Sequence, residues 1–336
     1  MRRFALLTCA FALLAAGTAG AQPSVPSWAT PQIKTVVAAG LMAPSVGEFR
    51  PDDALTSSEL ATILASLGVE FAVTQPDKLV TVRELDALLV TAVGMRPEAR
   101  EIRLEAERAG LAPKPWLGTE TVARLLGLRF NHLMGSDTRE LQLTQPATRA
   151  EAAYSLARIL SIEQWEYDAA LQAASSFELP ELDPWQQTVL TRAVRFVGSP
   201  YVFAGTSERT QNILGRTLPG GFDCSGFVWR VYKLQPFEGA PALAGVLKGR
   251  TTYDMSGEVT PSSRIGHAAL APGDVVFFGN RGPKSKPAEV GHMGIYVGNG
   301  WMVHSSDRGT TLVPMTGWYQ TRFAWGRRPL AEAGIS

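Results

Sequence analysis

Between residues 24 and 165 apolar side chains recur three and four positions apart in short runs, each closed by a Pro or Gly break. That period marks amphipathic helices. It predicts helices at Pro31–Ala39, Ser57–Leu67, Val82–Ala92, Glu98–Arg108, Thr119–Leu126 and Arg149–Leu160. Thr56 with Glu59, and Thr148 with Glu151, fit the capping box that satisfies free amides at a helix start. From Ser161 the pattern fades into an Ala-rich, acidic stretch, and a linker is expected at 166–182.

Beyond the linker the period changes. Asp183-Pro184 is an N-cap and first-turn proline pair that opens a helix to about Val197. Gly220-Gly221 breaks the chain, Asp223 and Ser225 are helix-start residues, and Phe227, Val228, Val231 and Tyr232 return at helical spacing. Strand-like segments follow at Val275–Phe278, on both sides of Gly298-Asn299-Gly300, at Leu312–Met315 and at Phe323–Arg328. Thr206–Gly220 and Gly279–Glu289 read as irregular loops, the second basic through Arg281, Lys284 and Lys286. The expected architecture is α+β: a mainly helical domain at 24–165, then a domain at 183–330 that sets one helix against an antiparallel sheet.

Composition refines this picture at the N-terminus. Arg2 and Arg3 precede the apolar run Phe4 to Ala16, and Ala19-Gly20-Ala21 precedes Gln22, so residues 1–21 read as a secretory signal peptide and the protein as secreted to the cell envelope. Cys9 as a lipid anchor is the competing reading. Removal of the leader leaves Cys224 as the sole thiol, so no disulfide forms within the chain. A formal net charge of +1 argues against a nucleic-acid partner, and no later segment has the roughly 20 apolar residues of a membrane span.

Cys224 lies at the start of a predicted helix, where unpaired amides and the helix dipole favour a negative group, so its thiol pKa is expected to fall. A nucleophile of this kind needs a base. Of the four histidines, His292 and His304 sit in the hairpin, while His132 and His267 fall outside any motif and read as structural or surface groups. These spacings do not make a zinc site, and no cofactor is expected. Joint action by the two hairpin histidines fixes the register. A two-residue turn at Asn299-Gly300 would set His304 opposite Ile295, on the wrong face. A three-residue loop, or a bulge shifting the register by one, sets His304 opposite Gly294, on the same side as His292, with Gly300 left-handed.

The ordered set SPYVFAG at Ser199–Gly205, DCSGF at Asp223–Phe227, LAPGDVVFF at Leu270–Phe278 and GHMGIYVGNGWMVHSS at Gly291–Ser306 resembles the NlpC-type family of cell-wall cysteine peptidases, from about Trp185 to Pro329. The resemblance implies a papain-like catalytic domain with Cys224 as nucleophile, His292 as base and His304 as its orienting partner. It implies Tyr201, Asp223 and Ser225 as substrate contacts, and a secreted endopeptidase acting on peptidoglycan stem peptides at the D-glutamyl to diamino-acid linkage. A cell-wall amidase or acyltransferase of the same fold is the near alternative. Phe203 and Ala204 depart from the family's Tyr-x-Trp-Gly-Gly and reshape one wall of the cleft.

The helical domain resembles S-layer homology domains through Trp28, Ala39-Gly40-Leu41, Phe49-Arg50-Pro51, Thr56–Glu59 and Thr148-Arg149-Ala150-Glu151, although the copies are irregularly spaced. Thr81-Val82-Arg83-Glu84 carries its arginine one position late. This resemblance implies an acidic cell-wall polymer as partner, with Arg149 as its candidate contact and Arg83 a poorer one. It also opens two other readings, a wall-polymer-binding module and a lid over the cleft.

Overall fold

The computed structural model describes residues 27–335, so the expected signal peptide lies outside the described residues. Seven helices come first: α1 (Thr30–Ala38), α2 (Ser57–Ser66), α3 (Val82–Ala92), α4 (Arg96–Arg108), α5 (Leu117–Leu125), α6 (Arg149–Ser161) and α7 (Gln164–Ser175). α2 and α3 start in full capping boxes at Thr56 and Thr81. Thr148 caps α6 with its side chain alone. Its expected partner Glu151 is turned instead to His132, with Oε1 3.3 Å from Nε2.

Backbone bonds join these three starts in a ring. Leu55 N–H donates to Ala147 O (2.8 Å), Ala147 N–H to Val80 O (2.8 Å), and Val80 N–H to Leu55 O (2.9 Å). Three sequence-distant Thr-x-x-Glu segments therefore occupy equivalent places around one centre. Arg149, beside that ring, is not a surface group. It is 3% exposed, and its guanidinium donates to Phe49 O (2.7 Å), Met42 O (2.6 Å) and the Glu59 carboxylate. The expected polymer contact is corrected accordingly: this side chain ties the α1–α2 connection to α6 and has no free donor face.

The expected linker is likewise corrected. α7 and a packed extended segment fill it, because Phe177, Leu179 and Leu182 need burial. Phe177 meets Trp301 edge to face at 5.0 Å, and Asn299 Nδ2 donates to Glu178 O at 3.2 Å. Pro180 lies over Gly298, where a Cβ would come within 2.3 Å of the proline ring.

α8 (Pro184–Val194) opens as expected on Asp183, whose carboxylate accepts the Trp185 and Gln186 amides. The Thr206–Gly220 stretch is more ordered than expected. It holds β1 (Thr206–Ser207), β2 (Gln211–Ile213) and β3 (Arg216–Leu218), with β4 (Gly221–Phe222) pairing back to β1. Gln211 organises it by accepting the Thr206 amide and donating to Gly221 O. Next come α9 (Cys224–Tyr232), α10 (Leu243–Val246) and α11 (Thr252–Gly257). The main sheet is built from β5 (Val275–Gly279), β6 (Val290–Gly298), β7 (Trp301–Ser306), β8 (Gly309–Pro314) and β9 (Phe323–Arg327), with α12 (Trp318–Arg322) before its last strand. The order is β8-β7-β6-β5-β9, antiparallel throughout.

One face of this sheet carries Phe277, Met293, Ile295 and Val303 and packs against Phe227, Val228 and Val231 of α9, all fully buried. The other carries Val276, Phe278, Tyr296 and Met302, covered in part by Tyr319 of α12. The first cluster runs unbroken from Ala29 to Leu330, so the helical region and the sheet share a core. Four side chains of the helical region also bond to backbone of the sheet region. Trp116 Nε1 donates to Val197 O (3.3 Å), Asn131 Oδ1 accepts the Tyr201 amide (3.2 Å), Gln142 Nε2 donates to Gly220 O, and Arg124 Nη1 donates to Arg308 O.

Replacing Arg149 by Met leaves Glu59 Oε1, the buried Phe49 carbonyl and the partly buried Met42 carbonyl without this donor. The expected loss is about 3 kcal/mol of stability, read as a lower midpoint in urea unfolding at an unchanged slope.

Candidate active site

Cys224 is the first residue of α9, as its sequence context requires. Asp223 caps the helix by accepting the Gly226 amide, and Ser225 Oγ donates to the same carboxylate at 3.0 Å. Gly226 has to be glycine. The chain crosses α9 there with Gly205 O 1.8 Å from where a Cβ would stand. The sulfur contacts Thr252 Oγ1 at 3.5 Å and lies by the amides of Ser225 and Met293.

The thiol pKa does not fall as the helix position alone suggests. Burial pushes it up to about 11, and the Asp223 carboxylate adds to that, against weaker help from Thr252 and the two amides. The Asp223 carboxylate also occupies the positive end of the helix, so the sulfur shares a helix terminus with an anion.

The base comes from the hairpin. Gly298 faces Trp301 across a two-residue turn in which Asn299 and Gly300 have φ of 46° and 80°. Val297 is then left out of the ladder, and pairing resumes with Tyr296 opposite Met302 and Gly294 opposite His304. This one-residue bulge gives the register that joint action of the histidines requires. His292 Nε2 lies 2.9 Å from His304 Nδ1, and His304 Nε2 lies 3.1 Å from the Tyr319 hydroxyl. Glycine at 294 is what lets the imidazole of His304 pass: a Cβ there would sit 3.0 Å from His304 Cβ.

Both histidines project from the sheet face opposite α9, on the side of Phe278 and Met302. The β6–β7 ladder stops at Gly294–His304, so Met293 and His292 have no partner on β7. Cys224 enters that notch, beside the amide directly after His292. With Nε2 engaged by His304, Nδ1 is the nitrogen of His292 left for the thiol. A proton acceptor at Nδ1 carries its own hydrogen on Nε2, which sets the order His292 Nε2–H to His304 Nδ1 and His304 Nε2–H to Tyr319 Oη. Burial holds His292 down at about 4 and His304 well below its ordinary value, the latter helped by the charges of His292, Arg308 and Arg124. At neutral pH the resting pair is thus a neutral thiol and a neutral imidazole.

The other expected site residues divide into two groups. Tyr201 lies near the sulfur, and burial together with the charges at Cys224 and Asp223 raises its phenol above the ordinary value. Asp223 and Ser225 lie in the first turn of α9 with their polar atoms engaged inside the protein. Their organiser is Arg250, which sequence reasoning missed. It donates to Ser225 Oγ (2.7 Å) and Ala204 O (3.1 Å) and lies 3.6 Å from Asp223. Ala204, at the family's glycine position, adopts φ of 59°, a left-handed strain that Arg250 holds in place. Thr252 and Tyr319 were also missed, since nothing in their flanking residues separates them from ordinary helix positions. His132 is buried against Glu151, and His267 packs edge-on against Phe323. No cluster of metal-ligating side chains occurs among the described residues.

His292 and His304 line a cavity of about 680 Å³ that continues between Phe278, Asp307, Arg308 and Trp318. Cys224 approaches from the other side of the notch.

Residues 198–328 match the NlpC/P60 family. Among curated proteins the chain is similar to the bifunctional muramidase/DL-endopeptidase CwlT of Bacillus subtilis, 33% identical over 124 residues, which covers 37% of this chain and 30% of that protein. It is similar to the gamma-D-glutamyl-L-lysine dipeptidyl-peptidase of Bacillus cereus, 32% identical over 154 residues, covering 44% and 37%. The chain thus spans about a third of the length of these relatives. Among solved structures, the crystal structure of an NlpC/P60 family protein from Bacillus cereus is 28% identical and covers 46% of this chain and 42% of that one at a TM-score of 0.33.

A thiol held near 11 remains protonated at neutral pH. Iodoacetamide is therefore expected to modify Cys224 at pH 7 about tenfold or more slowly than a free thiol of pKa about 8.5, with the rate still climbing beyond pH 9. A rate that levels off below pH 8 would show a thiolate at rest.

Proposed function

Residues 198–328 being an NlpC/P60 domain, we propose that this protein is a secreted peptidoglycan endopeptidase of the cell envelope that hydrolyses amide bonds of stem peptides, at the D-glutamyl to diamino-acid linkage. The observation that carries this reading is the hydrogen-bonded line Tyr319–His304–His292, together with the sulfur of Cys224 lying by the amide of Met293, the residue directly after His292.

Attack begins when His292 Nδ1 takes the thiol proton as the sulfur adds to the amide carbonyl. The transfer leaves an imidazolium, which His304 stabilises through its Nδ1 lone pair, and Tyr319 holds His304 in the tautomer that presents that lone pair. The amide of Cys224, at the start of α9, is the first donor to the developing oxyanion. His292 returns its proton to the leaving amine, the C–N bond breaks, and a thioester remains on Cys224. Water, deprotonated by His292, then releases the acid. Tyr201 and the Asp223–Ser225–Arg250 cluster border the acyl side of the sulfur.

For the helical region, the ring joining its three Thr-x-x-Glu segments supports the S-layer-homology reading and a place at the wall. The burial of Arg149 removes that side chain from any polymer contact.

Digestion of peptidoglycan with residues 22–336, followed by mass spectrometry of new termini, is expected to reveal free D-glutamate carboxylates paired with free diamino-acid amines. Cys224→Ala should release none, and release by that variant would refute the thioester route. Because His292 is neutral down to about pH 4, the acid limb of kcat/KM is expected near 4 and not near 6.5. Tyr319→Phe removes one hydrogen bond from the line, and a fall in kcat of about two- to tenfold with little change in KM is expected.

A further inference from the structure

Resting on the endopeptidase reading, we infer that Arg124, a residue of the helical region outside the matched family domain, is a positioning residue for the histidine pair: it fixes the β7–β8 turn behind His304 and sets a buried guanidinium in the same cavity wall.

The fit begins on α5. Glu120 and Arg124 stand one turn apart, so both side chains leave the same face of the helix. α5 packs against β8, and two glycines of the family domain receive these side chains. A Cβ at Gly198 would lie 3.1 Å from Glu120 Cγ, and one at Gly309 would lie 2.6 Å from Arg124 Nη1. The two places are tied to each other, since Gly198 N–H donates to Thr310 O (2.9 Å) and Thr310 N–H donates to Ser199 O (2.8 Å). Arg124 Nη1 then donates to the carbonyl of Arg308, the last residue before β8. β8 in turn carries Thr311 opposite His304. Guanidinium, turn and strand form one continuous path to the histidine.

The guanidinium also acts by its charge. It is 2% exposed and lines the cavity with His292 and His304. Burial lowers it to about 10, so it remains charged at neutral pH. Around it lie Glu120 of its own helix at 3.6 Å, Asp86 of α3, and Arg129 and Glu140 from the chain beyond α5. Burial raises Asp86 above its ordinary value and Glu140 to about 8, so these carboxyl groups only partly offset two guanidinium groups. His304 is faced by His292 of β6, by the Tyr319 hydroxyl of α12, on which Asp307 acts, by Arg308 of the turn and by Arg124. A fixed cation opposes protonation of the pair, so Arg124 helps the base stay neutral as the pH falls.

Two substitutions separate the bond from the charge. Arg124→Lys keeps the charge and gives up the planar fork, whereas Arg124→Gln keeps a donor and gives up the charge. The test compares the two in residues 22–336 on a γ-D-glutamyl peptide. Arg124→Gln is expected to lower kcat about tenfold with little change in KM, and to raise the acid limb of kcat/KM by about one pH unit. Arg124→Lys is expected to lower kcat and leave the acid limb in place. An unchanged kcat in Arg124→Gln, or an acid limb that stays in place there or moves equally in both variants, would overturn the assignment. Titration of the His292 and His304 imidazole nitrogens by NMR in the Cys224→Ala background judges it without turnover. A midpoint that rises by about one unit with Arg124→Gln, and not with Arg124→Lys, upholds the assignment even if no peptide is cleaved, an outcome that defeats the endopeptidase reading alone. An unmoved midpoint overturns it. Should Arg124→Gln fail to fold, the double variant Glu120→Gln with Arg124→Gln removes a buried carboxylate together with the guanidinium, and its midpoint is read in the same way.

Discussion

The hydrogen bond between His292 and His304 forms only if Gly294 stands opposite His304, and that pairing depends on one extra residue, Val297, between the turn and the ladder. Side chains on a strand alternate, so a register error of one residue has no partial form: it sends an imidazole to the opposite face. The turn itself is the two-residue type that Asn-Gly favours, with both residues left-handed. Left to the turn alone, His304 would face Ile295. The bulge converts an ordinary hairpin into a scaffold for two interacting imidazoles, and Gly294 clears the space between them.

The same strand end solves a second geometric problem. A helix that packs its apolar side on one face of a sheet delivers its first residue to that face, while the histidines occupy the other. The early end of the β6–β7 ladder opens a gap at Met293, through which the sulfur of Cys224 meets the chain. Burial also explains the electrostatics at this gap. Burial disfavours the charged form of each partner singly, raising the thiol and lowering the imidazole, so charge arises only when the proton moves between them.

Much of this was legible in the sequence because it rests on short-range rules. Helix periods and Thr caps located α1 to α6 within a few residues, and the alternation in Val290–Ser305 located the hairpin and its histidine register. The sequence was silent where one side chain answers to a distant backbone. Nothing near Arg250 announces that its guanidinium will bridge Ser225 and Ala204, and nothing near Tyr319 announces a partner for His304. The acidic, Ala-rich stretch after Ser161 misled for the same reason, since its few apolar residues are buried by contacts with a hairpin more than 100 positions away. The thiol pKa misled differently: the helix start was correctly placed, but burial of the sulfur outweighs it, and its positive end is taken by Asp223 as well.

The four side-chain bonds from the helical region land on the backbone of Val197, Tyr201, Gly220 and Arg308, all within a few residues of the cleft or in it. Two halves joined in this way are not independent of one another. A change at Asn131 or Gln142, far from Cys224 in sequence, alters the floor on which the nucleophile stands and calls for a compensating change in the opposite half. Exchange of the whole front half for an unrelated module, a common route by which enzymes acquire new addresses, would leave the Gly220 and Arg308 carbonyls and the Tyr201 amide to find new partners.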